Sequence, residues 1–136
     1  MSEKQKLLIV DDSELNRDIL KEILGSRYDY MEAENGTQAI QILEVHPEID
    51  LMLLDINMPQ MNGFQVLEHM RELQWIDEVP VVMISSEESV EIMRKAYDLG
   101  ITDYISRPFD AVIVKKRVQN TLGLYANQKR LINVVV

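Results

Sequence analysis

The stretch Leu51-Met52-Leu53-Leu54-Asp55 is apolar at four successive positions and then abruptly acidic, and Leu7-Leu8-Ile9-Val10-Asp11-Asp12 repeats that pattern near the start of the chain. A strand with one wet face alternates apolar and polar residues, whereas one that is apolar throughout is buried on both faces. Strands of that kind belong to parallel sheets covered by helices on each side. Residues 79–84 make a third such run, with Pro80 near its start, where a missing ladder donor matters least. Residues 28–33 and 101–106 are more mixed, as expected of the two edge strands of a five-stranded sheet.

The intervening segments have helical spacing. Leu15, Ile19, Ile23 and Leu24 form one apolar stripe, Ala39, Ile40 and Leu43 a second, Val66, Leu67, Met70 and Leu73 a third, and Val90, Met93, Ala96 and Tyr97 a fourth. A fifth starts near Asp110, a good N-cap after Pro108, and runs through Val114, Val118 and Leu122. Five βα units in succession predict an α/β fold, a doubly wound five-stranded parallel sheet with right-handed crossovers.

The 136 residues, 46% of them hydrophobic, suit one domain with a packed core. Residues 1–123 complete the five units, and 124–136 read as a helical C-terminal extension or a linker to an output module. The net charge of −9 is unevenly distributed: all 23 acidic residues lie in 1–110, while 111–136 carry five basic residues and no acidic ones. An acidic body repels phosphate backbones, which argues against direct nucleic-acid binding and for bound cations. The absence of cysteine excludes disulfides, thiolate metal sites and a Cys nucleophile. Neither a signal peptide's apolar core nor a membrane-length apolar run is present, so the expected location is cytoplasmic. His46 and His69 fall on helices away from the strand ends and read as solvated.

In doubly wound sheets the ligand site lies at the carboxyl ends of the strands, where strand order reverses. Asp11 and Asp12 follow one central run and Asp55 the other, so three carboxylates converge in one crevice. So close together, they raise one another's pKa unless a cation sits among them. Hard oxygen donors in a small acidic pocket suit Mg2+, or Mn2+ in its place. No His adjoins these positions, no Gly-rich phosphate loop precedes a helix, and no Ser occupies a nucleophile elbow. The remaining nucleophile is a carboxylate, and Asp55 is the best placed. Ser85 ends the next strand, where its hydroxyl can bond a phosphoryl oxygen, and Arg107 ends the last, where it can neutralise phosphoryl charge. Taken singly, each has a plainer use: strand-end aspartates cap and turn, and Ser85-x-x-Glu88 has capping-box spacing. Tyr104 alone is a strand aromatic and Arg107 a surface cation. Joint placement at four strand ends is what points to chemistry.

These residues resemble the response-regulator receiver domain over about residues 5–123. The likeness rests on Leu-Leu-Ile-Val-Asp11-Asp12, Leu-Leu-Asp55-Ile-Asn-Met-Pro59-Gln-Met-Asn-Gly63, Val-Val-Met-Ile-Ser85 and Asp-Tyr104-Ile-Ser-Arg107-Pro108-Phe109. The resemblance implies the CheY-like, flavodoxin-like (βα)5 fold with strand order 2-1-3-4-5. It further implies that Asp55 accepts a phosphoryl group from a phosphohistidine on a sensor histidine kinase or phosphotransfer protein. Asp12, Asp55 and the Asn57 backbone carbonyl would bind Mg2+, with Asp11 acting through water. Ser85 and Tyr104 would form a conformational switch reported on the face of the fourth helix, fifth strand and fifth helix. That face and the C-terminal helix are the expected routes to an output domain or a homodimer. The family has Lys where this chain has Arg107, an exchange that is not conservative at a tight site. The Arg107-Pro108 bond is expected to be cis, as the family's Lys-Pro bond is. Asn57 and Glu87, two residues after Asp55 and Ser85, would flank the hydrolytic water and give a short-lived phosphoryl state. Such a protein turns over no external substrate and is not an enzyme in that sense.

Three other functions compete. One is a phosphorylation-independent receiver acting as a protein-interaction module, supported by Arg107. A haloacid-dehalogenase-like phosphatase wants Asp-x-Asp, where this chain has Asp55-Ile56-Asn57. A flavodoxin needs a hydroxyl-rich phosphate loop, where Asp11-Asp12-Ser13-Glu14 repels an anion.

Overall fold

The computed structural model describes residues 4–135 except 59, 87 and 88, with side chains described as far as residue 125. Strands β1 (Lys6–Val10), β2 (Asp29–Ala33), β3 (Leu51–Asp55), β4 (Val81–Ser85) and β5 (Asp103–Ser106) alternate with helices α1 (Glu14–Leu24), α2 (Gly36–Val45), α3 (Gly63–Glu72), α4 (Val90–Asp98) and α5 (Ala111–Val135). All four strand pairings are parallel, in the order β2-β1-β3-β4-β5. The order reverses at β1 and β3, which end in or beside the candidate aspartates. Pro80 lies just before β4, where its carbonyl still accepts from Met52 N at 3.0 Å.

The unbroken apolar runs serve two cores. Leu7, Ile9, Leu51 and Leu53 point to one face and pack with Leu20 and Leu24 of α1 and Val114, Val118 and Leu122 of α5. Leu8, Val10, Met52 and Leu54 point to the other, against Ala39, Leu43, Val66, Leu67, Met70 and Ala96 of α2, α3 and α4. The side-chain period of two makes both faces of β1, β3 and β4 interior. Asp110 caps α5 as expected, its Oδ1 accepting from Val112 N at 3.0 Å and Ile113 N at 3.1 Å.

Two helical stripes differ from expectation. On α1 the buried positions are Arg17, Leu20 and Leu24, while Leu15 is 68% and Ile19 37% exposed. On α4 only Ala96 is buried, with Ile92 and Leu99 packed beside it, and Val90 and Tyr97 are exposed. His69 is also not fully solvated: it is half-buried with its ring edge-on to Trp75. His46 follows α2 and pairs with Glu48 at 3.2 Å.

Candidate functional site

Polar side chains leave the apolar sheet where its interior strands end. Asp11 follows β1 with its carboxylate fully buried; Oδ1 accepts from Ser13 N at 2.9 Å, fixing the turn into α1. Asp12, the next residue, is exposed. Asp55, the last residue of β3, is 1% exposed, and its Oδ1 accepts from Asn57 N at 3.2 Å. Carboxylate oxygens of Asp11, Asp12 and Asp55 all lie within 4.8 Å of one another. Burial, and secondarily the Asp11 carboxylate, push Asp55 up to about 6, with Arg107 pulling against them. A buried carboxylate held this far from its ordinary value beside two more is a donor set that fits a hard divalent cation.

Gly63 brings the β3–α3 loop back onto the site. Its N–H donates to Ile56 O at 3.1 Å, and a Cβ added there would lie 2.7 Å from Asp55 O and 2.8 Å from Ile56 Cα. A side chain would therefore press on the backbone that carries Asp55.

Arg107 follows the end of β5 and reaches into the acidic cluster. Its Nη2 lies 2.6 Å from Asp11 Oδ2 and 3.2 Å from Asp55 Oδ2, so the guanidinium spans the acidic pair while Nε is buried with no hydrogen-bond partner among the described residues. Two buried carboxylates are strong charged acceptors for a guanidinium. The Arg107 amide donates to Ser85 O at 3.1 Å, joining the ends of β4 and β5, and the Arg107-Pro108 bond is cis as expected. Ser85 is buried at the end of β4. The N-cap position of α4 is Ser89, and Glu88 lies outside the described residues. Tyr104 is half-buried on β5 under Arg117, whose guanidinium carbon sits 5.1 Å above its ring; Arg117 also donates to the Tyr104 carbonyl and lies 3.6 Å from Asp103. Glu87 and Pro59 lie outside the described residues.

Arg17 and Glu32 escaped the sequence-based reading. Arg17 Nη1 donates to the Asp11 carbonyl at 2.6 Å and Nε to Glu32 Oε1 at 2.9 Å. The only available signal was a basic residue on an otherwise apolar helix face.

The sequence matches the response regulator receiver domain family over residues 7–119. The chemotaxis protein CheY1 of Helicobacter pylori is 35% identical over 120 residues, covering 87% of this chain and 97% of the relative. The crystal structure of chemotaxis protein CheY4 of Vibrio cholerae superposes with a TM-score of 0.80 at 27% identity, over 88% of this chain and 99% of that one. A probable cyclic di-GMP phosphodiesterase of Vibrio cholerae is 32% identical over 127 residues, 93% of this chain but 29% of the relative.

Proposed function

The chain belongs to the response regulator receiver domain family of two-component signalling, and from that premise we propose that it is a phosphoryl-accepting switch whose acceptor is Asp55. The observation that carries this is the convergence of buried Asp55 and Asp11 with exposed Asp12 at the point where strand order reverses. In the transfer, an Asp55 carboxylate oxygen attacks phosphorus, the P–N bond to the donor's histidine breaks, and the released imidazole takes up a proton. Asp12, Asp55 and the Asn57 carbonyl would hold Mg2+ or Mn2+, with Asp11 acting through water; bound there, the cation offsets the negative charge of carboxylates and phosphoryl oxygens. The Ser85 hydroxyl donates to a phosphoryl oxygen, and Arg107 turns from the carboxylates to the phosphoryl group, offering it the Nε that has no partner now. Tyr104 follows Ser85 inward and changes the face made by α4, β5 and α5. Asn57 and Glu87 flank the water that hydrolyses the acyl phosphate, which keeps the signal short and restores Asp55 without turnover of an external substrate.

The donor is a sensor histidine kinase or phosphotransfer protein. The Vibrio cholerae relative, in which the similar region is 29% of the length, favours an output module coupled through α5. The decisive measurement is intact mass after incubation with Mg2+ and a small acyl phosphate. One added phosphoryl group in the parent and none in Asp55→Asn supports the assignment. If the parent binds Mg2+ but takes up neither phosphoryl group nor beryllofluoride, the Arg107 bridge has closed the site and the chain works as an interaction module. A phosphoryl lifetime of hours would contradict the roles given to Asn57 and Glu87.

A further inference from the structure

Arg17 takes no part in the chemistry above, yet it is only 7% exposed. Arginine is almost never buried to that degree unless its charge is paired. Here Nε meets Glu32 at 2.9 Å and Nη1 meets the Asp11 carbonyl at 2.6 Å, while the second Glu32 oxygen is taken by Lys21 Nζ at 2.8 Å. One side chain thereby joins helix α1, edge strand β2 and the peptide between Asp11 and Asp12. That peptide decides where two of the three clustered carboxylates emerge, because it links buried Asp11 to exposed Asp12, whose carboxylate oxygens lie within 4.8 Å of each other and of Asp55.

We propose that Arg17, held by Glu32, is a positioning residue for the divalent-cation site, fixing the Asp11–Asp12 peptide so that both carboxylates reach Asp55. The proposal rests on the assignment of the acidic cluster as a cation site. Two physical effects of Arg17 oppose each other there. Its charge alone would repel a cation, so removing it would tighten binding. Glu32 in direct contact cancels most of that field at a distance, leaving a dipole, while the hydrogen bond to the Asp11 carbonyl keeps its full geometric effect. Positioning therefore outweighs repulsion, and loss of the pair weakens the site. Partners that orient metal ligands typically contribute about 10–100-fold in affinity.

The test is calorimetric titration of the full chain with Mg2+ alone, with thermal unfolding followed in parallel. Arg17→Met/Glu32→Gln, which removes both charges, is expected to bind about tenfold more weakly. Arg17→Lys, which keeps the charge but supplies a single donor, is expected to fall between the double variant and the parent. Unchanged affinity in a folded double variant of lowered unfolding temperature would make the pair a structural brace and overturn the proposal. Tighter binding would overturn it in favour of charge repulsion. If the double variant does not fold, Arg17→Lys and Glu32→Gln decide, and parental affinity in both overturns the proposal. A parent that binds no Mg2+ overturns the cation-site assignment itself, and the positioning role with it.

Discussion

Asp55 keeps its proton to about pH 6 in the folded chain, against an ordinary carboxylate value near 3.8, because burial and Asp11 both disfavour its charge. Between those values the folded state binds more protons than the unfolded one, so this residue's contribution to stability is present at the acid end and is lost as pH rises through 6. At neutral pH and without divalent cations, its ionisation is a cost. Asp55→Asn is accordingly expected to be more stable than the parent at pH 7 in a chelator by about 2 kcal/mol, with the difference shrinking toward pH 4. Denaturant unfolding at the two pH values measures this, and equal stability at pH 7 would refute it. Gly63 acts on the same residue through space. Gly63→Ala forces a Cβ onto the Asp55 and Ile56 backbone and is expected to cost about 1–3 kcal/mol, together with a weakened response of the Asp55 and Asn57 amide resonances to Mg2+.

At the scale of single elements, β1, β3 and β4 were legible because being apolar at every position has one economical explanation, burial between two helical layers. The acidic residues at the ends of β1 and β3 stood out for the same reason. Helix α1 was misread because two stripes of helical period share it. The apolar stripe through Leu15 and Ile19 faces solvent, and the buried one, 17-20-24, begins with an arginine. Periodicity reports spacing, and it is blind to a charge whose partner lies fifteen residues away on another strand. Arg107 was legible as a strand-end cation but not in its pairing, since that depends on how close Asp11 and Asp55 come. Substitution separates the two faces of α1: Leu20→Ala should cost about 2–5 kcal/mol, whereas Leu15→Gln should stay within about 0.5 kcal/mol. Urea midpoints of the two variants provide the comparison.

For the whole molecule, a cation bound at the acidic cluster would be linked to folding, because the three carboxylates meet only in the native state. Mg2+ at a hundred times its dissociation constant is expected to stabilise the chain by about 2.7 kcal/mol. That gain should fade below pH 6, where Asp55 is protonated and no longer a ligand. Thermal unfolding with Mg2+ or chelator at pH 5 and pH 7.5 tests both statements, and an equal shift at the two values would sink the linkage to Asp55. The fold also carries an internal counter-charge there, the Arg107 guanidinium between Asp11 and Asp55. Among the described residues no helix is long and apolar enough to cross a membrane. Helix α5 is nonetheless 25 residues long, a rod of about 37 Å at 1.5 Å per residue. It begins four residues beyond Arg107, and Val114, Val118 and Leu122 seat its first half on the sheet. The 13 residues beyond Leu122 span about 20 Å, so a tilt of about 5° there would carry the far end through about 1.7 Å. A small change of angle at Leu122 would thus reach the end of the rod as a shift of about an ångström or more.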